Sequence, residues 1–277
     1  MGFRISTNVQ SIAAQRTLGI QRQEANHQLE KLASGERITR AADDAAGLAI
    51  SEKFKAEIRS TRQAVRNTQD AISLVQVAEG GLNEVSNILI RMRELSIQSA
   101  SDTIGDTERA FTNQEVQALR GEVDRISAST RFNGVDLLSG EGEQLEFQVG
   151  TGSDAAKDRI SYDVSAANTT SQFLGINDVT TASREGSQMN LEKIDKALNL
   201  VSANRANFGA MQNRLQSTMN NLNVTDENLS AANSRIRDAD IALETAELTK
   251  RNVLQSAAVS TLAQANNNSM LALKLID

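Results

Sequence analysis

Residues 201–246 read VSANRANFGAMQNRLQSTMNNLNVTDENLSAANSRIRDADIALETA, and their spacing decides the fold class. Val201, Phe208, Leu215, Leu222, Leu229, Ile236 and Leu243 follow one another at intervals of seven. The small residues Thr218, Thr225, Ala232, Ala239 and Ala246 take a second position three residues further on. A strand has a period of two, so a seven-residue apolar repeat belongs to a helix that turns one narrow seam towards partner helices. At 1.5 Å per residue the run from Val201 to Leu243 predicts one helix of roughly 60 Å. A strict period of seven predicts left-handed winding around its partners.

A second seam lies between Ala45 and Ala100, where Ile58, Val65 and Ile72 share one heptad position and Val75, Leu82 and Leu89 the other. A shorter helical pattern, Phe111, Val116, Leu119, Val123 and Ile126, supplies a third helix. The composition agrees. The 277 residues include no Pro and no Cys, and aromatics make up 3%, with no Trp and one Tyr. Without Pro the chain has no Pro helix breaks, so long unbroken helices are permitted, and with so few rings the core must be aliphatic.

The middle of the chain differs. Asn133-Gly134 is a turn signal. Leu145, Phe147 and Val149 alternate with polar residues, as do Ile160, Tyr162 and Val164, with TGSDAAKD between the two runs. That pattern predicts a β-hairpin with a long loop. The expected fold class is therefore mainly α: a long antiparallel helical bundle or coiled-coil rod with a small β-hairpin region in the middle of the chain. Five segments follow: an N-terminal helical arm over 1–42, helices of the rod over 43–130, hairpin and loops over 131–189, a long helix over 190–247 and a C-terminal arm over 248–277.

The two ends are acid-poor. No carboxylate precedes Glu24, and after Glu247 only the terminal Asp277 remains. Ile5, Val9 and Ile12 form a short apolar stripe at helical spacing, and Leu18, Ala25, Leu29 and Leu32 another. Leu254, Leu262 and Leu271 interrupt a Gln-, Asn- and Ser-rich stretch in the C-terminal arm. The arms are expected to pair with each other and to need a further protein neighbour, since a short amphipathic helix with an uncovered face is marginal in water.

Enzyme chemistry finds little to use. Lack of Cys excludes disulfides, thiol nucleophiles and thiolate metal sites, and the single histidine, His27, excludes an HExxH site. No catalytic, cofactor-binding or metal-ligating residue is expected. A net charge of −6 argues against a nucleic-acid partner, and no apolar run reaches the ~18 residues of a membrane span. Asp43-Asp44 reads as a helix cap, and Gly80-Gly81 as a close approach to a neighbour. Within ILIRMRELSIQSA, residues 88–100, Arg91, Glu94, Leu95 and Gln98 are expected on the helix surface beside the Leu82–Leu89 seam.

The stretch SGERITRAADDAAGLAISEK, residues 34–53, closely resembles the N-terminal signature of bacterial flagellins, and MGFRISTNVQSIAAQRTL and VLQSAAVSTLAQANNNSMLALKL resemble flagellin termini. The resemblance implies a short flagellin that polymerises with itself into the flagellar filament, its paired terminal helices lining an inner tube. It implies export unfolded through the flagellar channel to the outside of the cell, without a cleaved signal peptide. The implied partners are the export apparatus, an export chaperone, the filament cap and the hook–filament junction proteins. In flagellins that the host innate immune receptor detects, a segment similar to 88–100 makes the contact; Arg91, Arg93 and Leu95 match it, as does Glu122, while Ile90 stands where those flagellins commonly carry Gln. Glu94 completes this expected subunit-packing face. The hook–filament junction protein of the same family and a generic coiled-coil interaction protein are the alternatives.

Overall fold

The computed structural model describes residues 7–142 and 144–274, with side chains described as far as Asn268. Ile5 and the side chain of Leu271, both expected in the arms, lie outside the described residues. The elements run α1 (Val9–Ser34), α2 (Ala45–Ser99), α3 (Asp106–Ser129), β1 (Arg131–Phe132), β2 (Val135–Asp136), β3 (Leu145–Gln148), the single turn α4 (Ala155–Asp158), β4 (Arg159–Tyr162), a 3-10 turn (Ser165–Ala167), α5 (Arg184–Arg237) and α6 (Ile241–Lys274). They divide into two compact units, one of Met1–Ile58 with Glu227–Asp277 and one of Arg59–Asp226.

In the Arg59–Asp226 unit, three ion pairs set the direction of α2 against α5: Arg62 to Asp226 at 3.0 Å, Arg93 to Asp195 at 2.7 Å, and Asp102, just past α2, to Arg184 at 2.7 Å. One partner's number rises as the other's falls, so the helices are antiparallel. Along α2 the buried residues Val75, Ala78, Leu82, Val85, Leu89 and Met92 recur at alternating intervals of three and four. They share one core with Val116 and Val123 of α3 and with Ile194, Val201, Phe208 and Leu215 of α5. Val65 and Ile72 are half-buried. Phe111, expected on the inner face of α3, is instead exposed, one turn before the buried stripe begins at Val116.

The hairpin seats on this core. Leu145 faces Tyr162 and Phe147 faces Ile160 across the antiparallel β3–β4 pair. Tyr162 packs against Phe208 with ring centroids 5.4 Å apart, its hydroxyl donates to the Leu137 carbonyl at 2.8 Å, and burial raises its pKa. Asn133 and Gly134 both hold positive φ, 49° and 82°, as the two-residue turn between β1 and β2 requires. Gly81 explains itself here: a Cβ would stand 2.7 Å from both Leu138 Cδ1 and Thr130 Oγ1, so the chain leaving α3 crosses α2 where α2 has no side chain.

The irregular segment after the 3-10 turn is held by one stripe of α3. Asn113 Oδ1 accepts from the Thr181 N–H at 3.0 Å, Gln117 donates to the Val179 carbonyl at 2.9 Å, Arg120 donates to the Asn177 carbonyl at 2.6 Å, and Asp124 accepts from the Ser171 N–H at 2.8 Å. Spacings of four, three and four place these side chains on one helix face. Their hydrogen bonds replace a sheet ladder for this segment's backbone and seat Leu174, Ile176 and Val179 in the core.

The other unit corrects the expectation of one helix from Val201 to Leu243. The chain leaves the helix after Arg237 and re-enters it at Ile241. At the break the Ala239 N–H donates to the Gly35 carbonyl at 2.9 Å and the Arg37 N–H to the Arg237 carbonyl at 2.6 Å, joining Glu36 to Asp238 in an antiparallel bridge. Asp240 then caps α6, its carboxylate accepting from the Ala242 N–H at 2.9 Å. Leu243 therefore belongs to the first turn of α6 and is 67% exposed, while Leu222, Leu229 and Ile236 are half-buried on α5 and Ile58 is buried on α2.

Arg237 fastens this joint by pairing with Glu36 at 2.9 Å and with Glu52. Replacing Arg237 with Ala removes the cation that bridges Glu36 and Glu52. The amides of Arg37 and Ala239 are then expected to exchange about tenfold faster, the loss of one charged hydrogen bond. Residue-resolved hydrogen exchange on the purified variant reads this directly.

Candidate self-association surfaces

Helices α1 and α6 pair antiparallel, as Ser11 donating to Asn266 at 2.8 Å and Arg251 donating to Gln21 at 3.4 Å show. Gly35, in the left-handed region at φ 70°, ends α1 by donating its N–H to the Lys31 carbonyl. The side of α1 turned to α6 carries Ser11, Leu18 and Ala25, all buried, with Leu32 half-buried beyond them. Across from it α6 presents Ala265, which is buried, and Leu262 and Ala258, which are half-buried. This contact is built of small and polar residues interrupted by single leucines.

Several larger aliphatics are left uncovered. Val9, Ile12 and Leu29 on α1 and Leu254 on α6 are exposed, as are Ile20, Val253 and Val259. Ile12 is 57% exposed and Val253 63%. Isolated exposed aliphatics need no explanation, but this many on one helix pair mark an interaction surface. Beside them a groove of about 430 Å³ runs between the helices, floored by Ala13, Ala14, Thr17, Thr261 and Ala265.

On α2 the expected surface cluster is brought together only in part. Arg91 donates to Glu94 at 3.1 Å on its own helix and to Glu115 of α3 at 2.9 Å. Arg93 points to the opposite neighbour, α5, where its hydrogen bond holds the Asp195 carboxyl below the usual carboxylate range. Glu122 is bound by Arg125 on its own helix, which lowers its pKa in the same way, and has no part in the Arg91 group. Leu95 overturns its expected surface position: it is 1% exposed. A heptad reading allots α2 a seam for one partner, whereas α3 and α5 both pack on it and widen the buried face to include position 95. Glu115 escaped sequence reasoning because only the antiparallel register of α2 and α3 places it opposite Arg91.

Among the described residues no helix is long and apolar enough to cross a membrane, and no cluster of three metal-ligating side chains occurs.

Two family models match this chain. The bacterial flagellin N-terminal helical region covers residues 5–143, and the bacterial flagellin C-terminal helical region covers 191–276. The chain belongs to the bacterial flagellin family. Across 98% of its length it is 45% identical to a flagellin of Halalkalibacterium halodurans, of which 99% is covered. It is 39% identical to a flagellar filament 30.7 kDa core protein of Treponema maltophilum, over 98% and 99% of the two chains. With a Bacillus subtilis flagellin the identity is 39% over 99% and 100%. The crystal structure of a Bacillus cereus flagellin matches with a TM-score of 0.51 at 33% identity, covering 57% of this chain and 88% of that one. This flagellin is accordingly a structural subunit of the bacterial flagellar filament and not an enzyme.

Proposed function

We propose that this flagellin polymerises by burying the outer faces of α1 and α6 against further copies of the same helices, with the arms as the filament's core. One observation carries the reading: six bulky aliphatics of the two arms, Val9, Ile12, Leu29, Val253, Leu254 and Val259, are left exposed to solvent by the α1–α6 pairing. Covering a single such side chain contributes about 1.5–3 kcal/mol, and a helical polymer repeats the gain at every subunit. The face around Arg91, Glu94 and Glu115 packs between neighbouring subunits in the same assembly, and Arg91 and Glu94 stand exposed for it.

The test is seeded growth. Purified protein mixed with short filament fragments is expected to form long tubes by electron microscopy and to move into the pellet on sedimentation. Discrete soluble oligomers would instead favour the coiled-coil interaction module. Export unfolded through the flagellar channel, with the export apparatus, chaperone, cap and hook–filament junction proteins as partners, belongs to the same proposal. A chain with no Cys and no Pro supports it, since refolding at the far end meets neither disulfide exchange nor prolyl isomerisation. The innate immune receptor remains a proposed partner of the Arg91 face, without Leu95 as an anchor.

A further inference from the structure

The single histidine stands where α1 meets the connection that leads into α2. His27 Nε2 lies 2.9 Å from Asp43 Oδ1 and its Nδ1 lies 3.7 Å from Glu30 Oε2. Asp43 organises the connection: its other oxygen accepts from the N–H groups of Thr39 and Arg40, each at 3.1 Å. Arg40 returns to α1 through an ion pair with Glu30. The four side chains close a ring between the last turns of α1 and residues 39–43.

A neutral imidazole cannot serve this ring. It carries one N–H, so when Nε2 donates to Asp43 the lone pair of Nδ1 is left pointing at the Glu30 carboxylate. Nδ1 is buried and, among the described residues, has no hydrogen-bond partner. One added proton gives Nδ1 an N–H and turns that contact from repulsive to attractive. It also balances the ring, since Asp43 and Glu30 against Arg40 alone leave one negative charge over.

Other charges near His27 are few. On α6 the register set by Ser11–Asn266 and Gln21–Arg251 brings the buried Glu244 level with Gln28, so α6 adds a further carboxylate. On α1, Glu24 lies one turn before His27 and Lys31 one turn after it, and these two offset each other. Arg251 is paired to Glu247, and Arg237 to Glu36 and Glu52. Burial raises the pKa of Asp43, but the N–H groups of Arg40 and Thr39 and the charge of His27 outweigh it and leave the carboxyl below its ordinary range. Asp43 thus stays ionised wherever an imidazole titrates.

We propose that His27, Asp43 and Glu30 form a proton-operated clasp that fastens the end of α1 to the connection at residues 39–43 and closes as the pH falls below neutral. Stability held by a protonated group is present at acid pH and lost as pH rises through the titration of the folded form, so the clasp opens towards alkaline pH.

With one histidine in the sequence, a single imidazole Cε1–H resonance reports the ring in the monomeric full-length chain. Between about pH 8 and pH 5 the amides of residues 28–34, corrected for intrinsic exchange, are expected to become about threefold better protected, the size of one partly exposed ion pair. In His27→Gln, which keeps a donor towards Asp43 but cannot titrate, the corrected protection is expected to be flat across the same range. In Glu30→Gln, which removes the carboxylate facing Nδ1, the gain in protection towards pH 5 is expected to shrink. The same acid-dependent protection in His27→Gln, a flat profile in the parent, or an undiminished gain in Glu30→Gln each overturns the proposal.

Discussion

A monomer carrying both Ile12→Asp and Val253→Asp is expected to keep its helices and to form no filaments at concentrations where the parent polymerises fully. Ile12 and Val253 are both more than half exposed in the single chain. In that setting the substitutions cost the monomer only a few tenths of a kcal/mol each, mostly the lower helix propensity of Asp. In the proposed polymer the same positions are covered. Each substitution then forfeits about 1.5–3 kcal/mol of apolar burial and places a carboxylate where water has been displaced. At about 1.4 kcal/mol per tenfold, two lost contacts raise the critical concentration at least about a hundredfold. Sedimentation after seeding measures that concentration, and far-ultraviolet circular dichroism confirms the monomer. Filaments from the double variant at the parent's concentration would show that polymerisation uses another surface.

The reason these side chains face outward also explains what the sequence could and could not reveal. Along α2 and α5 the heptads of Leu82, Leu89, Phe208 and Leu215 lead straight to the core, because bulky aliphatics there meet other helices of the same chain. In the arms the same logic divides the aliphatics. Leu18, Leu32 and Leu262 share the α1–α6 contact with Ser11, Ala25 and Ala265, whereas Val9, Ile12, Leu29 and Leu254 stay exposed. A hydrophobic pattern marks which face is buried in the final assembly; it does not distinguish burial within one molecule from burial between copies.

Two other features were hidden for different reasons. The break at 238–240 leaves the seven-residue count from Ile236 to Leu243 intact while changing which face Leu243 occupies. The signal lay in Asp240, a capping residue inside an otherwise regular run. The segment over 171–181 has no periodicity to read, since its backbone is held by single side chains of α3 rather than by a ladder, and only the folded arrangement brings Asn113 and Asp124 to it.

The burial of Leu95 separates two substitutions that the sequence would treat as a pair. Leu95→Ala removes a fully buried side chain from the core shared by α2, α3 and α5. It is expected to destabilise the Arg59–Asp226 unit by about 2–5 kcal/mol, the cost of the lost contacts and of the cavity left behind. Arg91→Ala breaks pairs to Glu94 and Glu115 in which both partners are exposed and screened by solvent, so it is expected to leave the stability of the unit almost unchanged. The unit carries its own probe. Tyr162 is the only tyrosine, there is no Trp, and its ring is packed against Phe208 in that core. Denaturant titration followed by tyrosine fluorescence should move to a clearly lower midpoint for Leu95→Ala and stay close to the parent for Arg91→Ala. A defect in assembly or in receptor binding seen with Arg91→Ala therefore reports on the surface itself, whereas the same defect with Leu95→Ala first has to be separated from partial unfolding. Equal midpoints for the two variants would mean that Leu95 is not seated in the core, and would return it to the surface beside Arg91.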